Sequence, residues 1–314
     1  MHREQAMSSP PSSPRQEHIP RGIALRVASA GCFSVMAALL KMASEHGVVA
    51  PEMLFYRAIF ALPIVLIWTF AGAGAASLTT RRPWAHVGRS ALGIASILCT
   101  FQALILLPLA DATTIGFTAP VFATILSWLV LHEAVGWRRW LAVLCGFIGV
   151  IIVMRPGGSG HAVPLAGVAI GLLSAFGTAS VTITVRQLRD TEHVAAIVFW
   201  FFVASALVGL ALLPFFGHFH DTPTLLLLAG GGIAGGLAQI TMTASLQSAP
   251  VSVISPFDYL QIVGALLLGW LLLSSVPTIN TLAGGAIIAG SGIYTAWREH
   301  RRRGRISTSD VPQA

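Results

Sequence analysis

Apolar residues in this chain come in continuous runs of about twenty, and a run of that length is what a helix needs to cross the hydrocarbon core of a bilayer. Ten such runs are legible, at about 22–44, 51–71, 85–108, 111–132, 137–155, 164–187, 193–215, 223–246, 250–273 and 278–297. They are continuous and not alternating, so the chain satisfies its backbone in lipid as helices and not as a barrel. The expected fold is an all-α integral membrane protein with ten transmembrane helices. Pro51, Pro164, Pro223, Pro250 and Pro277 each stand at or near a run's start, where a missing N–H is tolerated.

Only 10% of the residues are charged, against about a quarter in soluble domains. The net charge of +7 does not point to nucleic acid, because the basic residues lie between and after the apolar runs and form no face. Cys32, Cys99 and Cys145 are odd in number and sit inside apolar runs, which indicates neither a disulfide framework nor a metal site. The histidines show no H-E-x-x-H spacing and the chain has no P-loop, so no metal, cofactor or direct ATP drive is expected. Residues 1–21 are polar, carry Pro10, Pro11, Pro14 and Pro20, and read as a disordered tail with no cleavable signal.

Ten crossings return both termini to one side. With that side cytoplasmic, the inside segments carry fourteen arginines, at 3, 15, 21, 81, 82, 138, 139, 186, 189, 298, 301, 302, 303 and 305, and the outside loops carry only Arg155. Cytoplasmic loops retain basic residues, so a multi-pass protein of the inner (plasma) membrane with both termini cytoplasmic is expected.

The stretch from Ala103 to Arg155 has a faint copy 141 residues on, with Ala103 on Ala244, Leu141-Ala142 on Leu282-Ala283 and Gly149 on Gly290. Glu133, Arg138 and Arg139 become Ser274, Ile279 and Asn280, so the copy has lost its charge at one loop. An odd number of helices per unit explains the loss: the second unit inserts upside down and its loop faces the other side. The division is a tail 1–21, a first half 22–156, a Gly-rich linker 157–163, a second half 164–298 and a basic tail 299–314. Gly231 with Gly235 and Gly232 with Gly236 form small-residue faces on the eighth helix, while Gly285, Ala289, Gly290 and Gly292 thin the tenth. Such faces serve packing within the chain or, alternatively, a homodimer.

Pro51-Glu52 with Phe55-Tyr56-Arg57, Phe101-Gln102-Ala103-Leu104, Pro108-Leu109-Ala110, Pro120, Glu133, Arg139-Trp140, Gly146 and Gly149 resemble a first EamA repeat of the drug/metabolite transporter superfamily. Ala249-Pro250, Phe257-Asp258-Tyr259-Leu260-Gln261 and Trp297-Arg298-Glu299 resemble the second. Where the family often closes the ninth helix with Glu, this chain has Ser274-Ser275. The resemblance implies ten helices around a central cavity open alternately to either side, and small metabolites as substrates. The Lys41, Glu52 and Arg57 arrangement looks most like the branch that includes S-adenosylmethionine and riboflavin carriers.

Ionisable side chains at membrane depth persist where they face a cavity or a partner. Arg26 and Arg89 lie about one turn from the cytoplasmic ends of their helices and are expected to snorkel. Lys41 and Arg57 lie about 5 and 9 Å from the outer ends at 1.5 Å per residue, with Glu45 and Glu52 on the same side. Either these four close the outer vestibule as salt bridges, or Arg57 captures a substrate carboxylate or phosphate. Asp258 stands about two turns into the ninth helix with Gln261 on the same face and Tyr259 turned away. It is either a proton-coupling carboxylate or a partner of Gln239 or of backbone freed by Pro256. Gln102 and Gln239 either line the cavity or join helices. Pro120 and Pro256 break the fourth and ninth helices, as hinges or as static kinks. Arg298 to Arg305 suit anionic lipid.

The function expected is a secondary transporter of a small metabolite working by alternating access around a midplane site. A membrane-embedded enzyme, which would need a nucleophile, base or metal set, and a non-transporting scaffold are the alternatives.

Overall fold

A computed structural model gives the architecture; it describes residues 19–80, 82–130, 136–154, 164–188, 192–249 and 251–309. Most of the N-terminal tail, Arg81, Glu133 and the 157–163 linker lie outside these residues, as do the side chains of Arg138, Arg139 and Arg298 to Arg305.

The described residues are helical: α1 Ile19–Glu45, α2 Ala50–Ala71, α3 Pro83–Leu106, α4 Leu109–Gly116, α5 Ala119–Leu129, α6 Trp137–Met154, α7 Leu165–Leu188, α8 Val194–Phe216, α9 Thr222–Ser248, α10 Val251–Ile254, α11 Leu260–Leu273 and α12 Ile279–Ser309. Eight spans are long and apolar enough to cross a membrane, and Trp140–Met154 and Ile279–Tyr294 are shorter apolar helices that complete ten. This is a multi-pass membrane protein. The lipid-facing surface carries exposed large apolar side chains, including Ile67, Phe215 and Leu226. Trp84, Trp128, Trp137, Trp140 and Trp297 are exposed near the end of the bundle where α1 begins, as in an interfacial aromatic belt.

Two spans are interrupted near the prolines expected to break them, and a third runs longer than expected. The fourth span is α4 and α5, broken at Phe117-Thr118, and the ninth is α10 and α11 joined by a 3₁₀ turn at Ser255–Tyr259. Pro120 is the second residue of α5, just after the first break, and Pro256 is the second residue of the 3₁₀ turn itself; in each case the absent N–H leaves a carbonyl without its i−4 donor. The Thr118 hydroxyl donates to the Ile115 carbonyl at 2.7 Å within the first break. The tenth helix runs beyond the expected 297 to Ser309.

The packing pattern maps onto itself when the halves are exchanged. α1 packs on α9, and α7, its counterpart, packs on α3; α2 meets α8, α6 meets α12, and α4 meets α11. Five spans per half make the second half run opposite to the first. Polar ties repeat the symmetry: Ser29 donates to the Ala238 carbonyl at 3.0 Å and Ser245 to that of Gly22 at 2.8 Å, while Ser96 donates to the Ser174 carbonyl at 3.0 Å. Where lipid supplies no hydrophobic drive, such bonds and small residues hold helices together.

The α9 glycines are used inside the chain. A Cβ at Gly231 would stand 3.0 Å from Leu40, at Gly232 2.6 Å from Phe60, and at Gly236 3.2 Å from the Ala61 backbone. Gly149 and Gly284 do the same where α6 crosses α12, each facing the other's carbonyl. Of the glycines expected to thin the tenth helix, Gly292 faces Tyr259, whereas Gly290 has nothing within 4 Å.

Candidate functional site

Arg57 lies on α2 among α1, α8 and α9 and is fully buried. Its guanidinium carbon sits 5.0 Å from the centre of the Phe202 ring, Nε donates weakly to the Met36 sulfur at 3.4 Å, and Nη1 has no partner. The room comes from α9: a Cβ at Gly235 would lie 2.8 Å from that sulfur and 3.1 Å from Nε. No carboxylate pairs with Arg57 among the described residues. Of the two readings of the sequence, the salt bridge from Arg57 to Glu52 is not made. Glu52 instead accepts from the backbone of Val49 and His218 and from the His220 ring.

The second buried polar group corrects two expectations. Asp258 takes Arg26 and not Gln239 as its partner, and Arg26 does not snorkel: Arg26 Nη2 donates to Asp258 Oδ2 at 2.5 Å, and Nε stands 2.5 Å from Oδ1. The pair ties α1 to the 3₁₀ turn of the ninth span. Desolvating either charge alone is so unfavourable that the nearest opposite charge at the same depth is taken up. Arg89 does not snorkel either. It is buried with its guanidinium 4.5 Å from the Phe201 ring centre and donates to the Ile197 carbonyl at 3.4 Å.

The two breaks meet. Advancing Phe117-Thr118 by the repeat offset of 141 gives Asp258-Tyr259, so each half unwinds at the same place, and the Phe117 and Tyr259 rings are in contact at 5.0 Å. The Tyr259 hydroxyl occupies the space a side chain at Gly292 would fill. Thr114, one turn before the first break, has a buried hydroxyl with no partner. Discontinuous helices at corresponding positions of two inverted halves are where secondary transporters place their sites.

The remaining candidates are dispersed. Lys41 donates to the Leu104 carbonyl at 2.8 Å and to that of Ile105 at 3.2 Å. Pro108 has no N–H for Leu104, so the ammonium completes the end of α3. Gln102 and Gln239 are half-buried, with no side-chain hydrogen bond among the described residues. Gln261 meets α1 through its backbone, accepting from Ser34 at 3.4 Å. Among the described residues no cluster of His, Cys, Asp or Glu could hold a metal, and the three cysteines are free. Sequence reasoning misplaced Arg89 and missed the pairing of Glu52 with His220 and that of Glu192 with His86. The signal for the first was charge at depth; for the others it was a Glu within two residues of a helix start.

The model of the EamA-like transporter family matches residues 20–155 and 165–297. The chain belongs to that family. It is an EamA-type transporter of the drug/metabolite superfamily, built from two EamA repeats, and not an enzyme. It is 30% identical over 271 residues to the pseudopaline exporter of Pseudomonas aeruginosa, covering 85% of this chain and 93% of that protein. It is 29% identical to the riboflavin transporter of Vibrio cholerae, covering 91% and 97%, and 25% identical to an S-adenosylmethionine uptake transporter of Rickettsia bellii, covering 88% and 92%. A solved crystal structure matches 90% of this EamA chain and 98% of its own with a TM-score of 0.62 at 20% identity, which speaks for the fold alone.

Proposed function

We propose that this EamA transporter carries a small metabolite bearing an anionic group across the inner membrane by alternating access, with Arg57 as the group that binds the anion. The observation that carries this reading is a fully buried guanidinium whose Nη1 has no partner, and beside which no carboxylate stands, among the described residues. The Phe202 face offsets part of the cost of burying that charge, and a substrate carboxylate or phosphate offsets the rest through charge-assisted hydrogen bonds. Relatives named for S-adenosylmethionine, riboflavin and pseudopaline support a small-molecule cargo.

Gln102 and Gln239 line the path, and Tyr259 with Phe117 forms its aromatic wall at the two breaks. Pro120 and Pro256 are the hinges that let the fourth and ninth spans bend as the halves rock. Asp258 holds α1 through Arg26 and is not the proton carrier, because carboxylate protonation would break a close ion pair. The fourteen-to-one arginine distribution supports cytoplasmic termini.

Flux of a panel of radiolabelled amino acids, riboflavin and S-adenosylmethionine in oriented membrane vesicles, with and without a pH gradient, tests the reading. Saturable flux of an acidic member, lost in Arg57→Gln, is expected. Full flux in that variant, or flux confined to cations, would overturn it.

A further inference from the structure

Two buried carboxylate–imidazole pairs sit at opposite ends of the bundle, and neither includes Arg57 or the Arg26–Asp258 pair. Glu52 is the third residue of α2. Its Oε2 accepts from the Val49 N–H at 2.9 Å, and its Oε1 accepts from the His218 N–H at 2.7 Å and lies 2.9 Å from His220 Nε2. The Glu52 and His220 side chains are 0% and 5% exposed, and His220 stands two residues before α9. The contact therefore fastens the start of α9 to the start of α2. At the other end, Glu192 stands two residues before α8, and its Oε2 lies 3.3 Å from Nε2 of His86 in the first turn of α3. Both of those side chains are buried, and they fasten the start of α8 to the start of α3.

Exchanging the halves takes α2 to α8 and α3 to α9, so the two pairs bridge equivalent helix starts on opposite faces. The match is one of place and not of register. In the first pair Glu is inside its helix and His outside, and in the second the positions are reversed. Glu192 follows Glu52 by 140 residues, whereas His220 follows His86 by 134, so no single sequence offset reveals both. Burying such groups is unfavourable unless they are paired, and its recurrence at symmetry-equivalent places argues for a shared task.

We infer that the two pairs are the gate clasps of the transport cycle: Glu52–His220 shuts one face, Glu192–His86 shuts the other, and each half-cycle releases one. A carrier whose halves rock must part these helix starts on one face while keeping them joined on the opposite face. This rests on the alternating-access reading above.

The test uses the full-length chain with Cys32, Cys99 and Cys145 replaced by Ala and two buried reporters. Leu228→Cys lies two turns inside His220 on α9, and Ser90→Cys one turn inside His86 on α3. A membrane-impermeant maleimide is applied from either face of sealed vesicles. Glu52→Gln is expected to raise labelling at 228 by about five- to tenfold and to lower it at 90, the population shift that loss of one buried charge-assisted bond produces. Glu192→Gln is expected to do the reverse. Labelling that moves in the same direction at both reporters, or that stays unchanged, overturns the proposal. If a Glu variant does not fold, His220→Ala and His86→Ala remove the imidazole side of each pair and carry the same opposite-sign expectation. A control without clasp changes separates the two ideas: under alternating access a bulky adduct at one reporter suppresses labelling of the other. If that suppression is seen and the clasp variants leave labelling unmoved, the clasps alone fail; if it is absent, alternating access fails and the clasps with it.

Discussion

At the scale of single residues, two buried arginines of one fold do different work because their surroundings differ. Arg26 has a carboxylate within ion-pair distance, and Arg57 has an aromatic face, a thioether and an unpartnered N–H. Removing Arg26 leaves Asp258 uncompensated, so Arg26→Met is expected to destabilise the protein by about 3 kcal/mol, and the double change with Asp258→Leu to recover most of that. Thermal unfolding in detergent reads both. Arg57→Gln is expected to leave the unfolding temperature close to wild type and to lower transport kcat/KM by roughly ten- to a hundredfold, the worth of about 1.5–3 kcal/mol of charged hydrogen bonding. That Asp258 needed a partner was readable from its depth. That the partner was Arg26 was not, because the two lie 232 residues apart and only packing brings α1 against the ninth span.

At the scale of elements, hydropathy located the helices to within a few residues except at the end of the last, which runs on to Ser309, since burial in lipid leaves the backbone no alternative. It could not locate the interruptions. The runs containing Phe117 and Ser255 stay largely apolar through their breaks; Pro120 follows the first and Pro256 lies inside the second, and neither marks its break's length. The α9 glycines were legible as a close-contact face, and the structure supplies the neighbours. Gly232→Val is expected to cost about 1–3 kcal/mol because its side chain would meet the Phe60 Cβ and the backbone of Tyr56 and Arg57. Gly290→Ala, with open space around it, serves as the neutral control in the same unfolding assay. Lys41 belongs to this scale too. Lys41→Met leaves the Leu104 and Ile105 carbonyls unmet and is expected to lose about 1–3 kcal/mol, whereas Lys41→Arg retains most of the stability.

At the scale of the whole molecule, the halves were legible through charge and not through sequence identity. Basic residues are selected by the side they face, so inversion strips them from the second copy while apolar pairs such as Leu141-Ala142 and Leu282-Ala283 persist. The exchange symmetry of helix contacts, the paired breaks and the matched serine ties follow from the same arrangement of two five-span bundles. Its most direct test uses the equivalent starts of α6 and α12, where Trp137 and Ile279 are both well exposed. Single cysteines at 137 and 279, in the background lacking Cys32, Cys99 and Cys145, are treated with an impermeant maleimide from each side of sealed vesicles. Two inverted halves require the two positions to label from opposite sides; labelling of both from one side would contradict the arrangement and the seam between the halves with it.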